Sequence, residues 1–386
     1  MHPFPRCGSA MLAMFVALSL VACSDGDSAG DDSGGASAPA TATIPVTREG
    51  CNAFGNPPRE LLALNDSLFN PTCLPNGERM ARHTDAEGTV RDACLYEPDH
   101  ASTDNPLPLV VWIHPSAVGT DISLAASNVR AGLETADLSG DPDRPGFIMV
   151  APYGRVTSRY YPFPDNNFVP GWDNWYRQLA PDGGARTVNG ESMPQNVDAA
   201  TIDHYLDAVL ASGKVDTDRI YLMGWSNGSA MGLLYALNRP EIAAAAIYSS
   251  PSPFEAFNDP CTQTPVRRPP ADDTEVQVFN PDLPVLHVHN DCDIGGICPN
   301  GVLLEQTLDT QGIGGFDSIL LNTAVNETEG CLDICGTDPT AAYEGTVDLA
   351  ATLGNLPGYS LGVANHLRWP VGYTGTMFDF LRDHPN

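Results

Sequence analysis

Two stretches of this chain could carry nucleophilic chemistry. Gly224-Trp225-Ser226-Asn227-Gly228 and Gly358-Tyr359-Ser360-Leu361-Gly362 both fit Gly-x-Ser-x-Gly, the spacing that stands a serine on a sharp turn between a strand and a helix. In a chain with 36 glycines the spacing alone does not choose between them. Context does. The apolar run RIYLM precedes the first match and the helix-forming NGSAMGLLYALNR follows it, whereas the second lies between a proline loop and VANHLRWP. Ser226 is therefore the expected nucleophile and Ser360 an ordinary strand residue.

A serine hydroxyl is a weak nucleophile at neutral pH and needs a base, itself oriented by a carboxylate. The histidines after Ser226 are His287, His289, His366 and His384. His384 lies at the chain end, and His287 and His289 fall within an expected strand. His366, on a loop after a strand, is the expected base. The acid should lie between serine and histidine, just after a strand. HVHNDCDIGG offers Asp293, with Asp291 as runner-up. For the oxyanion, Asn227 supplies one backbone N–H. The loop WIHPSAVGTD must supply the other, and because Pro115 has none, the donor is Ser116 or else Ala117. Trp172, Trp175, Trp225 and Trp369 could wall a substrate pocket, core packing being the competing reading. His287, His289 and Asp291 form His-x-His-x-Asp, which could present metal ligands on one strand face. With no further distant ligand in view, no metal or cofactor is expected.

These residues require a frame. PLVVWIHP (108–115) and GFIMVAPYG (146–154) are continuous apolar runs of the kind buried on both faces of a parallel sheet. RDACLYEP is a plausible first strand, and RIYLMGWS, AAAAIYSS and PVLHVHND are further strands. Residues 196–212 place Ala199, Ile202, Leu206, Val209 and Leu210 on one helical face. Asn227 to Arg239 reads as a second helix and TGTMFDFLRDH as a terminal one. Alternating strands and helices define an α/β fold with a mostly parallel sheet and helices on both faces. The irregular stretches 155–193, 251–283 and 294–343 read as insertions that build the substrate site.

The chain has 386 residues and a net charge of −29, with Lys214 as its single lysine. Such a surface disfavours nucleic acid and anionic lipid as partners. Residues 1–23 read as an export signal, and Leu20-Val21-Ala22-Cys23 resembles a lipoprotein box in which Cys23 is lipidated. Membrane contact is then expected only through that anchor, with the protein in the bacterial envelope or secreted. Residues 24–45, acidic and rich in Gly, Ser and Ala, read as a flexible tether. The catalytic domain spans 46–386, with 46–90 an extension of undefined structure. Cys51, Cys73, Cys94, Cys261, Cys292, Cys298, Cys331 and Cys335 remain for disulfides, Cys292–Cys298 and Cys331–Cys335 being short spans that could close. A zinc cluster of cysteines is the rival reading, disfavoured by export and by the lack of paired CxxC motifs. A monomer is expected.

With these pieces placed, the chain from Arg91 to His384 resembles the secreted α/β-hydrolase esterases that include polyhydroxybutyrate depolymerase-like enzymes and feruloyl esterases. RIYLMGWSNGSAM is similar to that family's elbow, PVLHVHNDCD to its acid segment and NHLRWP to its histidine segment. The resemblance implies a Ser226–His366–Asp293 triad acting on polyester, feruloyl or acetyl esters. Three departures stand out: His114-Pro115 in place of His-Gly, Asn290 in place of a glycine, and one extra residue between His366 and Trp369. The rivals are a peptidase of the same fold and a catalytically silent surface-binding protein.

Overall fold

The computed structural model describes residues 71–86, 88–116, 118–157, 169–172, 186–188, 191–193, 196–250, 278–290, 304–305, 308–309, 312–313, 315–321, 343–353 and 365–386. Cys23 and the tether, Ala117, Trp175, Asp291, Asp293, the 358–362 motif and every cysteine except Cys73 and Cys94 lie outside these residues.

Eight strands of the described residues form one sheet. They are β1 (Gly77–Arg79), β2 (Ala93–Tyr96), β3 (Leu107–Ile113), β4 (Ile148–Pro152), β5 (Val215–Trp225), β6 (Ala244–Tyr248), β7 (Val285–Asn290) and β8 (Phe316–Leu321). Their order is β1-β2-β4-β3-β5-β6-β7-β8. The pairings of β1 with β2 and of β2 with β4 are antiparallel, and all the others are parallel. Strand order reverses at β3, which lies between β4 and β5. The carboxyl ends of β3 and β5 therefore flank the kind of crevice where open α/β sheets bind ligands.

Helices α1 (Gly119–Ser127), α2 (Val197–Leu210), α3 (Asn227–Ala236), α4 (Leu349–Leu353) and α5 (Thr374–Asp383) accompany the sheet. Every residue of β3 is buried, as its unbroken apolar run requires. Leu109, Val111 and Ile113 pack with Ile202 and Leu206 of α2 and Met231 and Leu234 of α3. Val110 and Trp112, pointing to the opposite face, pack with Leu124 of α1 and with Met377, Phe378 and Leu381 of α5. The sheet is thus covered on both sides, and the architecture is the α/β-hydrolase fold. Among the described residues no helix is long and apolar enough to cross a membrane.

Among the elements that escaped the periodicity argument are α1 and β8. The buried side of α1 includes Thr120, Ser123 and Ser127, hydroxyls that hide an inward face from a hydrophobicity pattern. They are accommodated because Thr120 Oγ1 donates to Pro152 O at 3.0 Å and Ser123 Oγ accepts from Trp112 Nε1–H at 3.0 Å. Strand β8 lies inside the 294–343 stretch read as an irregular insertion. Much of it is solvent-facing, so it lacks the apolar run of the central strands.

The start of the described chain is tied down covalently and electrostatically. Cys73 and Cys94 form a disulfide that joins the segment before β1 to β2, and both cysteines are buried. This bond was not among the short spans read from the sequence. Asp121, in the first turn of α1, accepts hydrogen bonds from Thr72 Oγ1 at 2.8 Å and Cys73 N at 3.1 Å. Beneath the sheet edge, buried Arg91 pairs with Asp85 at 3.0 Å and with Asp198 at 2.6 Å, and Arg155 lies 3.9 Å from the same Asp198.

Candidate active site

Strand β5 runs straight into α3 through Ser226, whose φ of 58° and ψ of −126° form a tight elbow. A non-glycine residue at such a φ is held there by its surroundings. Ser226 N–H donates to Tyr248 O at 2.9 Å, and Ser229 Oγ donates to the same carbonyl at 2.7 Å, fastening the turn to β6. The flanking glycines are steric necessities. A Cβ on Gly228 would stand 2.2 Å from Ile113 O and 2.3 Å from His114 O, and one on Gly224 would stand 2.8 Å from Gly228 O. The motif is glycine-rich because α3 begins almost in contact with the backbone of β3.

His366 meets this elbow from the far end of the chain. Its Nε2 lies 2.8 Å from Ser226 Oγ, and its Nδ1 lies 2.9 Å from Ser249 Oγ. For Ser226 to donate its proton, Nε2 must be bare and Nδ1 protonated, so that Nδ1–H donates to Ser249. Ser249 is fully buried at the end of β6 with a φ of 55°. Sequence reasoning passed over it. The signal available was the Ser249-Ser250 pair at the carboxyl end of the strand next to the nucleophile strand.

His366 lies in a helical turn, 365–367, and not on the loop expected from the sequence, and aromatic residues hold that turn. Trp225 Nε1–H donates to His366 O at 2.9 Å, and Tyr248 Oη donates to Asn365 O at 2.6 Å. Asn290 Nδ2, at the end of β7, donates in turn to Tyr248 Oη at 3.0 Å. The strand expected to lead to the acid is thereby linked to the helical turn that carries His366. Asp293 and Asp291 themselves lie outside the described residues.

The tryptophans expected to wall a substrate pocket are placed otherwise. Trp172, Trp225 and Trp369 are 0%, 1% and 0% exposed. Trp369 meets Trp112, Trp225 and Tyr248 edge-on, with ring centroids 5.4 to 5.7 Å apart, and Trp225 and Tyr248 lie tilted at 6.1 Å. Each indole N–H is spent on the scaffold, Trp172 on His114 O at 2.8 Å and Trp369 on Thr374 Oγ1 at 2.9 Å. They hold the backbone of the segments around Ser226 and His366, as large rings with one polar edge fit a buried site.

The loop after β3 is organised by His114. Its Nδ1–H donates to Pro115 O at 2.7 Å, and its Nε2 accepts from Gly154 N–H at 2.8 Å. Burial of the ring holds its pKa down to about 4, so it stays neutral at working pH and serves as a brace, not a base. A trans peptide directs its N–H opposite to its C=O. With Pro115 O pinned by the imidazole, Ser116 N–H faces away from His114. Ser116 is part-exposed in this loop, while Asn227 is buried at the start of α3, where the first backbone N–H groups have no partner within the helix. The Asn227 side chain brackets the backbone of Trp172, accepting from its N–H at 2.8 Å and donating to its carbonyl at 3.3 Å.

The structure therefore brings Ser226, His366 and Asn227 together and adds Ser249. No protein-family model and no curated protein matches the sequence. Solved structures do. A thermostable esterase matches at 20% identity and a TM-score of 0.41 over 64% of this chain and 54% of that one. A ferulic acid esterase matches at 11% and 0.42 over 64% and 90%. An acylaminoacyl peptidase of Pyrococcus horikoshii matches at 14% and 0.39 over 67% and 39%. The chain spans about half or less of the length of that esterase and that peptidase. The α/β-hydrolase fold itself is carried by the sheet order and the Ser226 elbow.

Proposed function

We propose that this chain is an exported serine ester hydrolase, lipid-anchored through Cys23, acting on a polyester or on feruloyl or acetyl esters. One observation carries the reading: a serine on a positive-φ elbow stands 2.8 Å from the Nε2 of a histidine supplied by a separate element. Ser226 Oγ attacks the ester carbonyl as its proton passes to His366 Nε2. The charged imidazolium is held through Nδ1–H by Ser249, with Asp293 as the proposed carboxylate. Asn227 N–H and Ser116 N–H receive the oxyanion. As the tetrahedral intermediate collapses, Nε2–H gives its proton to the departing alkoxide and an acyl-serine remains. Water, deprotonated by His366, then attacks the acyl carbon, and the acid leaves as the proton returns to Ser226.

A fluorophosphonate probe, together with a panel of feruloyl, acetyl, short-chain nitrophenyl and polyester substrates, tests this. Wild-type protein is expected to label and turn over at least one ester, and Ser226→Ala to do neither. Folded wild-type protein that refuses the probe overturns the proposal, and faster cleavage of amides than of matched esters redirects it to a peptidase.

A further inference from the structure

His287 and His289 take no part in the acyl transfer proposed above, yet their arrangement is specific. They stand two residues apart on β7 and so share one face of the strand. Both are buried, at 0% and 7% exposure, and their rings stack with centroids 4.6 Å apart and planes 15° from parallel. Glu305, from outside the strand, brings Oε1 to 3.2 Å from His289 Nε2. Ser318 of β8, paired with His287 in the sheet register, donates its hydroxyl to Glu305 Oε1 at 2.6 Å and lies 3.1 Å from His289 Nε2. His287, His289 and Glu305 each offer one donor atom, and the three atoms lie within 4.8 Å of one another.

The spacing suits a bound metal as well as a chain of hydrogen bonds. Donors bound tetrahedrally at zinc distances stand about 3.3 Å apart, as follows from bonds of about 2.0–2.1 Å. His289 and Glu305 are already at that separation, and His287, whose donor atom lies within 4.8 Å of theirs, would close on the ion by up to about 1.5 Å. The His289 and Glu305 side chains are 10% and 32% exposed. The carboxylate thus lies within reach of solvent. Ser318 orients the carboxylate, the kind of outer hydrogen bond that metal ligands commonly receive. Two imidazoles with one carboxylate suit zinc and similar first-row divalent ions, whereas calcium and magnesium favour all-oxygen sets. The His-x-His spacing raised this chemistry in the sequence but wanted a distant ligand, which Glu305 supplies.

We propose that His287, His289 and Glu305 form a binding site for a zinc-class divalent cation, with Ser318 holding the carboxylate. The ion would clamp β7 to the Glu305 segment at the edge of the sheet. The site also borders the elbow region: Ser250 N–H, next to Ser249, donates to His287 Nε2 at 3.2 Å, a bond the ring would exchange for the ion whichever of its nitrogens ligates.

The test uses full-length protein stripped by chelator and titrated by calorimetry with zinc, and in parallel with cobalt(II), whose d–d absorption reports its geometry. One equivalent is expected to bind, with a tetrahedral cobalt spectrum and a raised melting temperature. Ser226→Ala is expected to bind like wild type, separating this site from the ester chemistry. His289→Gln and Glu305→Gln should each weaken the stoichiometric binding tenfold or more. If His289→Gln fails to fold, Glu305→Gln decides, because its side chain is partly exposed. Failure of both ions to bind the stripped wild type, or a loss of less than tenfold in Glu305→Gln, overturns the proposal and leaves a hydrogen-bonded cluster.

Discussion

Replacing Ser249 probes the site at its least obvious member. Its hydroxyl meets His366 Nδ1 at 2.9 Å, on the side of the ring away from Ser226. When His366 has taken the serine proton the ring is cationic, so the bond lost in Ser249→Ala is one to a charged group, about 1.5–3 kcal/mol. That corresponds to a fall in kcat/KM of about 10- to 150-fold. The backbone allows a second comparison. At a φ of 55° alanine keeps the strain that serine bears, while glycine relieves it. Ser249→Gly should therefore be more stable than Ser249→Ala by about 1 kcal/mol, yet equally slow. Ser249→Asn, which tolerates this backbone and carries a carbonyl acceptor, should recover part of the rate. The assays are nitrophenyl-ester kinetics and urea unfolding on the same preparations. If Ser249→Ala keeps kcat/KM within twofold of wild type, or if rate follows stability and not the hydroxyl, the orienting role is wrong.

Three further outcomes follow from the same geometry. Gly228→Ala should cost about 3 kcal/mol or more, because the new methyl would meet two backbone carbonyls that no rotamer change can move; urea unfolding or loss of soluble protein reads it. Asp198→Asn should cost about 1.5–3 kcal/mol by removing the charged acceptor between buried Arg91 and Arg155, Arg91 keeping its pair with Asp85, measurable as a drop in melting temperature. His114 titrates in the unfolded chain near its ordinary 6.5 but in the folded protein at about 4. Its neutral form thus contributes stability that is fully present above pH 6.5 and is lost as pH falls toward 4, about 3 kcal/mol in all. In His114→Gln, the drop in unfolding free energy between pH 7 and pH 4.5 should shrink by about 2 kcal/mol, and an unchanged slope would refute the assignment.

What could be read from the sequence was what burial makes periodic. β3, β4, β7 and the part of β5 from Ile220 onward are buried on both faces, so their apolar runs announced them, and the glycines around Ser226 announced a turn pressed against another backbone. The order of serine before histidine follows from the same topology and led to His366. The parts that stayed hidden share a different property: their polar atoms are satisfied internally by partners distant in sequence. Ser249 is 117 residues from His366, and Glu305 comes to His289 from outside the strand. The tryptophans mislead for a related reason. An indole ring reads as a binding surface by composition, but the indole N–H groups of Trp172, Trp225 and Trp369 are each matched to a buried acceptor. That makes them fixtures of the loops they hold. Residue type therefore locates the chemistry when a strand or a turn constrains the backbone, and it fails where a side chain's meaning depends on which distant hydrogen-bond partner the fold delivers. In this chain the second case covers Ser249, the aromatic seat of the turn that carries His366 and the histidine pair on β7, so the Ser226–His366 pair is legible in one dimension and its support is not.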